Sequence, residues 1–248
     1  MYVLRIPRHA CSPRDCARAG DLWRLIQEAA VLHSTECGWP PSRYRDVGTG
    51  FVVREMTAVH AREARYGEEL RVTTQVAETR REMLMRRETI IEGVTHATAD
   101  WVHIGTHGGP ARAPRELADA FPVEPREPPP FPSIVEQEPR PLPDLHVTPW
   151  WTEMDPLGHV NHPRYLDWAE EAVAQWMAQA GLDPIGIVPV AERVRFRSAA
   201  KAGNLVVVTT TLSGRSGDAA VFHARMRRGN TTICDATLVR THLGGPLP

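Results

Sequence analysis

The sequence repeats itself across a proline-rich divide. "GEELRVTT" (67–74) is echoed by "GNLVVVTT" (203–210), with Gly67, Val72, Thr73 and Thr74 matched by Gly203, Val208, Thr209 and Thr210 at an offset of 136. Earlier in each half, "LIQEAA" (25–30) is matched by "WAEEAV" (168–173) at an offset of 143. Both halves close on "GGP", at 108–110 and 244–246. Three matches in one order point to two copies of a fold, and so long a period means duplicated domains, not a solenoid. The drop in offset removes seven residues between helix and strand in the second copy.

Between the copies lies "PARAPRELADAFPVEPREPPPFPSIVEQEPRPLP" (110–143), which holds half of the 22 prolines. Proline removes a backbone donor and disfavours helix at the residue before it, which excludes a central strand or a long helix here. An extended linker along the surface is expected, with room for a short helix at 114–120. The chain then divides into residues 1–112, a linker 113–144, and residues 145–248.

Each copy has one order of elements: a short extended segment, a helix of about four turns, then several strands. In the second, Tyr165, Trp168, Ala169, Ala172, Trp176 and Ala180 recur at helical spacing and define a buried stripe. Asp167, Glu170, Glu171 and Gln175 fall off it. Leu22, Leu25, Ile26, Ala29 and Ala30 form the matching stripe in the first. The segments 192–198, 204–213, 219–228 and 231–242 are rich in β-branched residues and read as strands, with "SGRSGD" (213–218) as a hairpin turn. One helix followed by an antiparallel meander, twice, is an α+β arrangement.

A formal net charge of −1 gives no overall electrostatic case for nucleic acid or an anionic membrane. The arginines of "TRREMLMRRE" (79–88) read as the solvated face of a strand pair, and an acidic partner is the other reading. No apolar run reaches membrane-spanning length, and the N-terminus has no uninterrupted apolar stretch of the signal-peptide kind. Cys11, Cys16, Cys37 and Cys234 have no CxxC spacing. Reduced thiols and a cytoplasmic location are expected.

The stretch with most chemistry is "TEMDPLGHVNHPRYLDWAEEA" (152–172). Pro163 suits the first helical position, which makes His162 the N-cap residue and leaves Asn161 just outside. The free N–H groups of that first turn, near His162, can stabilise a developing oxyanion. Asp155 is close enough in sequence to fold over the same spot, where a carboxylate can attack a carbonyl or take a proton from water. His159 and Asn161 can hold that carboxylate, the water or the substrate by hydrogen bonds. Turn chemistry alone also explains Asp155 and Asn161. A metal site built on Asp155, His159 and His162 lacks a further ligand, and no GxSxG elbow for a serine hydrolase occurs.

"DPLGHVNHPRYLDWAEEA" closely resembles the D-x-x-G-H-V-N-N-x-x-Y-L-x-W-x-E-x-A signature of hotdog-fold thioesterases, which include 4-hydroxybenzoyl-CoA thioesterase-like proteins and acyl-ACP thioesterases. "LIQEAA", "GTGFVVREM" (48–56) and "ARYGEELRV" (63–72) resemble the N-terminal part of the acyl-ACP thioesterases. The resemblance implies two tandem hotdog domains, each a long helix wrapped by an antiparallel sheet. It implies hydrolysis of a thioester on acyl carrier protein or coenzyme A, with no metal or organic cofactor, and leaves a homodimer open. Asp155 matches the catalytic aspartate, and His159 and Asn161 match the histidine and asparagine of GHVN. The backbone N–H near His162 would polarise the carbonyl. Tyr165 and Trp168 are candidates to touch the acyl group, although the helical stripe explains both.

The chain departs from plant acyl-ACP thioesterases at Leu157, where they carry asparagine, and at Ala199 or Ala200, where they carry an acid. A site centred on Asp155 is therefore expected. At an offset of 143, Ser12, Cys16 and Arg18 stand in the first half where Asp155, His159 and Asn161 stand in the second, so one active site per chain is expected, with the first half lending wall and acyl pocket. A hotdog hydratase or dehydratase is a rival, though the D-x-N-P-x-H pattern of MaoC-like hydratases is absent. A non-catalytic acyl-thioester-binding module is the other rival.

Overall fold

The computed structural model describes residues 1–105 and 108–247. The first half comprises β1 (Tyr2–Arg5), α1 (Ala19–Glu36), α2 (Pro41–Val47), β2 (Gly50–His60), β3 (Glu69–Arg80), β4 (Leu84–Ile91) and β5 (Thr95–Ile104). The linker carries the short helix α3 (Arg115–Asp119) and the strand β6 (Val135–Pro141). The second half comprises β7 (Leu145–Val147), α4 (Pro163–Gln179), β8 (Ile187–Phe196), β9 (Val206–Ser216), β10 (Ala219–Arg228) and β11 (Thr231–His242).

All these strands form one sheet in the order β1-β3-β4-β5-β2-β8-β11-β10-β9-β6, with β7 also on β9. The two copies map onto each other strand by strand about the β2–β8 joint. Thr57 pairs with Arg193 in that joint, and these residues are 136 apart, the offset read from the repeat. The other offset also reappears as a contact: Arg24 of α1 and Asp167 of α4 are 143 apart and form an ion pair. Identical residues there would set two like charges face to face. Duplication within one chain allowed the two positions to diverge into opposite charges. Gly20 makes room for this, since a Cβ on it would collide with the Asp167 carboxylate.

Both helices pack on the sheet in one apolar core, in which Leu22, Trp23 and Ile26 of α1 join Leu166, Ala169 and Val173 of α4 and Val72, Ile91, Val208 and Phe222 of the strands. The prolines act as expected in the linker. β6 is an exposed edge strand on β9, where a missing N–H costs nothing. No helix among the described residues is long and apolar enough to cross a membrane. All four cysteines are free thiols.

Three details differ from the sequence reading. Pairing of β9 with β10 runs on to Ser216–Ala219, so the turn shrinks to Gly217 and Asp218. On α4, Ala180 is exposed while Leu166, Val173 and Met177 are buried, because the sheet curves over a broader face than the narrow stripe implied. Arg87 is not on a solvated strand face; it is 4% exposed beneath α1 and Phe121.

A buried ionic cluster crosses the joint. The Glu192 carboxylate of β8 accepts from Trp23 Nε1 of α1 at 2.9 Å and from Arg240 Nη1 of β11 at 2.9 Å, and lies 2.7 Å from His60 Nε2 of β2. Arg240 also donates to Glu170 of α4 at 2.8 and 3.0 Å, so Glu170 is not the solvent-facing residue its position off the stripe implied. Burial alone would raise the Glu192 pKa, but His60 and Arg240 outweigh it and hold the group down at about 2. Glu192→Gln, measured by urea unfolding at neutral pH, should cost about 3–5 kcal/mol, because Arg240 loses half of its neutralising charge in a dry interior. A depressed carboxylate stabilises above its unfolded pKa and loses that contribution as the pH falls through the folded value. The gap between wild type and variant should therefore close between about pH 4.5 and 2. A gap independent of pH would contradict this assignment.

Candidate active site

The loop before α4 is built by its own backbone. Asp155 N–H donates to the His159 carbonyl at 2.7 Å, and Gly158 N–H to the Asp155 carbonyl at 2.9 Å. Gly158 has φ +73°, a left-handed conformation that glycine adopts without a side-chain clash. Val160 N–H then reaches the Ala200 carbonyl at 2.9 Å and ties the loop to the connection between β8 and β9. Within this frame Asp155 Oδ1 accepts from Leu157 N–H at 2.9 Å and His159 N–H at 3.2 Å. Oδ2 has no hydrogen-bond partner among the described residues.

The sequence candidates take different places around that carboxylate. His159 contributes its N–H and not its ring, which makes no hydrogen bond among the described residues. Asn161 does not bond to Asp155 either: its N–H goes to the Glu153 carbonyl at 2.9 Å, and its Oδ1 is buried without a partner. Of the three roles open to these side chains, holding the Asp155 carboxylate falls to the loop amides; holding a water or the substrate is untouched by this geometry. His162 caps α4 as expected, and Pro163 is its first residue. The His162 N–H is engaged by no group in the loop. The His162 ring sits among Trp23, Trp101 and Phe196, with centroids 6.4, 5.9 and 6.0 Å away. Burial, with Arg24 nearby, lowers its pKa to about 3, so the imidazole is neutral and its Nε2 is without a partner.

Asp155, His159, His162 and Tyr165 line a cavity of about 650 Å³. Most of its wall comes from the other half: Ala30, Val31 and Ser34 of α1, Trp39, Tyr44 of α2, Phe51 and Val53 of β2, Met85 and Arg87 of β4, and Trp101 of β5. The lining is mainly apolar, as a pocket for a hydrocarbon requires. Asn161 and Trp168 are not on it. Trp168 packs on Tyr165, with ring centroids 5.0 Å apart. Ala199 lies on the cavity wall and brings no second carboxylate. The described residues hold no group of three or more His, Cys, Asp or Glu side chains placed to bind a metal.

The first half contains the same loop. Ser12 N–H donates to the Cys16 carbonyl, Asp15 N–H to Ser12, and Ala17 N–H to Ala64, bond for bond what Asp155, Gly158 and Val160 do 143 residues later. Asp15 holds φ +59° where its counterpart is Gly158. The first half thus differs at the side chains, with Ser12, Cys16 and Arg18 in place of Asp155, His159 and Asn161, but keeps the backbone loop that carries them. Arg14, in the place of Leu157, fills the position: it binds Glu63 at 2.7 Å and the carbonyls of Ile185 and Ile187 at 2.7 and 2.8 Å. The twin site is a clasp between halves.

Comparison with known proteins settles what this architecture is. Over 98% of this chain and 95% of the other, the fold superposes on a protein described as an oleoyl thioesterase from Lactobacillus plantarum, with a TM-score of 0.82 at 19% identity. The chain has the double-hotdog fold. An acyl-ACP thioesterase from Bacteroides thetaiotaomicron matches over 97% of this chain and 96% of its own at 15% identity, TM-score 0.74. The 12:0-ACP thioesterase from Umbellularia californica matches over 97% and 96% at 17% identity, TM-score 0.74. Residues 149–244, the hotdog half with Asp155, match the family model of the Thioesterase-like superfamily. No curated protein matches the sequence.

Within this double hotdog, Tyr165 has a structural duty beside its place on the cavity: its hydroxyl accepts the buried Ala200 N–H at 2.8 Å. Tyr165→Phe strands that N–H and should cost about 1–3 kcal/mol in chemical denaturation. An unchanged midpoint would show that the bond contributes nothing to the fold.

Proposed function

We propose that this double-hotdog protein hydrolyses an acyl thioester to a free acid and a thiol, with residues 145–248 supplying the chemistry and residues 1–112 the acyl pocket. The observation that carries this reading is the state of Asp155. One carboxylate oxygen is fixed by two amides and the other has no partner among the described residues, at the wall of an apolar cavity and beside the start of α4. Oδ2 attacks the thioester carbonyl or takes a proton from a water that does. The oxygen of the carbonyl gains charge as the new C–O bond forms, and the unengaged His162 N–H with the α4 dipole stabilises it. The C–S bond then breaks. When water attacks, the proton taken up by Asp155 passes to the leaving thiolate and the acid is released directly. When Oδ2 attacks, the mixed anhydride left on Asp155 is hydrolysed by a water, which supplies the acid's second oxygen and the thiol's proton. The neutral His162 ring faces the same cavity and can hold the substrate or the water.

Arg45, Arg54 and Arg197 are exposed and line the cavity, so they form part of its mouth. Arg197 is already paired with Asp235 at 2.6 Å, so the charge that suits the phosphate of the pantetheine arm, shared by acyl carrier protein and coenzyme A, comes from Arg45 and Arg54. The double-hotdog likeness to proteins named as acyl-ACP thioesterases supports a carrier-protein substrate.

Thiol release from a panel of acyl-CoA and acyl-ACP substrates tests the reading. Asp155→Asn should lower kcat/KM by about 10²- to 10⁴-fold, the contribution of a positioned base. Ser12→Ala, at the same place in the twin loop, should leave it unchanged. Absence of thiol release from every substrate would contradict hydrolysis, and an active Asp155→Asn would move the chemistry elsewhere.

A further inference from the structure

Arg87 lines the cavity as a charge without a counter-ion among the described residues. It is 4% exposed, yet its guanidinium meets only neutral partners among the described residues: Nη1 lies 2.8 Å from His33 Nδ1, Nη2 donates to Ser34 Oγ at 3.2 Å, and the Phe121 ring centroid is 5.0 Å away. The contact with Nη1 makes His33 an acceptor, hence a neutral imidazole. Burial favours the uncharged forms of four groups around it: it lowers the pKa of His33 and raises those of Tyr2, Cys37 and Tyr44. Glu36, on the same helix, is exposed and accepts from the Tyr2 hydroxyl at 2.6 Å instead. The Tyr44 hydroxyl, beside Ser34 on the cavity wall, is buried and meets no hydrogen-bond geometry among the described residues.

Buried guanidinium groups stay charged and are ordinarily paired with a carboxylate or phosphate. A purely hydrocarbon tail would leave Arg87 and Tyr44 facing methylenes. We infer that the wall formed by Arg87, Ser34 and Tyr44 is a subsite for a carboxylate at the far end of the acyl chain. The substrate class is then the half-thioester of an α,ω-dicarboxylic acid. This rests on the proposed hydrolysis for its chemistry but not for its binding. The spare N–H donors of Arg87 and the Tyr44 hydroxyl would complete the carboxylate's hydrogen bonds, and the apolar stretch between there and Asp155 would hold the methylenes.

The test separates binding from turnover. Non-hydrolysable pantetheine thioethers carrying hexyl, octyl or decyl chains are compared, by calorimetry, with the same chains ending in a carboxylate. At one or more lengths the carboxylated probe should bind wild type at least about tenfold more tightly. Arg87→Met should abolish that preference and Arg87→Lys should keep part of it, with folding of each checked by thermal unfolding. Equal binding of the paired probes to wild type at every length would overturn the proposal, whatever the variants do. So would a preference that survives in Arg87→Met. A preference without thiol release from the matching thioesters would leave the tail subsite standing and remove the hydrolase reading.

Discussion

Glu192 places a negative charge in the middle of the molecule, and each group that answers it comes from a different element. Trp23 reaches it from α1, His60 from β2 and Arg240 from β11, while Glu170 of α4 balances Arg240. A buried carboxylate is tolerated only when such partners are complete. The cluster therefore fixes both long helices and both central strands in one relation. That relation sets the His162 ring beside Trp23 and Trp101 of the other half and closes the cavity between α1, β2 and the Asp155 loop.

The duplication explains how one chain carries a single candidate site. Both halves retain the same loop, hydrogen bond for hydrogen bond, so the loop is a property of the fold and not of the chemistry. Divergence then acted on side chains. In one copy the loop presents Asp155 to a cavity; in the other, Arg14 and Glu63 convert it into a clasp on Ile185 and Ile187. The pair at Arg24 and Asp167 shows the same freedom at the pseudo-twofold axis, where equivalent positions meet and now carry opposite charges.

Much of this was legible in the sequence because repeats and helix starts are local. The offsets of 136 and 143 return as the Thr57–Arg193 pairing and the Arg24–Asp167 contact, and α4 begins at Pro163 behind His162. Side-chain partnerships were not legible where they depend on distant elements. By spacing, His159 and Asn161 can hold Asp155, a water or the substrate, and of these the first is done by loop amides. Glu170 falls off the apolar stripe, but β11 brings Arg240 to it from 70 residues away. Arg87 reads as a surface arginine because nothing within "TRREMLMRRE" shows that α1 and the linker residue Phe121 cover it.

The proposed hydrolysis requires the acyl chain in the first half and the reacting carbon against the second. A crystal structure of Asp155→Asn with a bound acyl-pantetheine thioether tests it most directly. The chain should lie among Trp39, Tyr44 and Met85, with the sulfur beside residue 155 and the His162 N–H. A chain bound at the Ser12 loop, or on the outer face of the sheet, would contradict it.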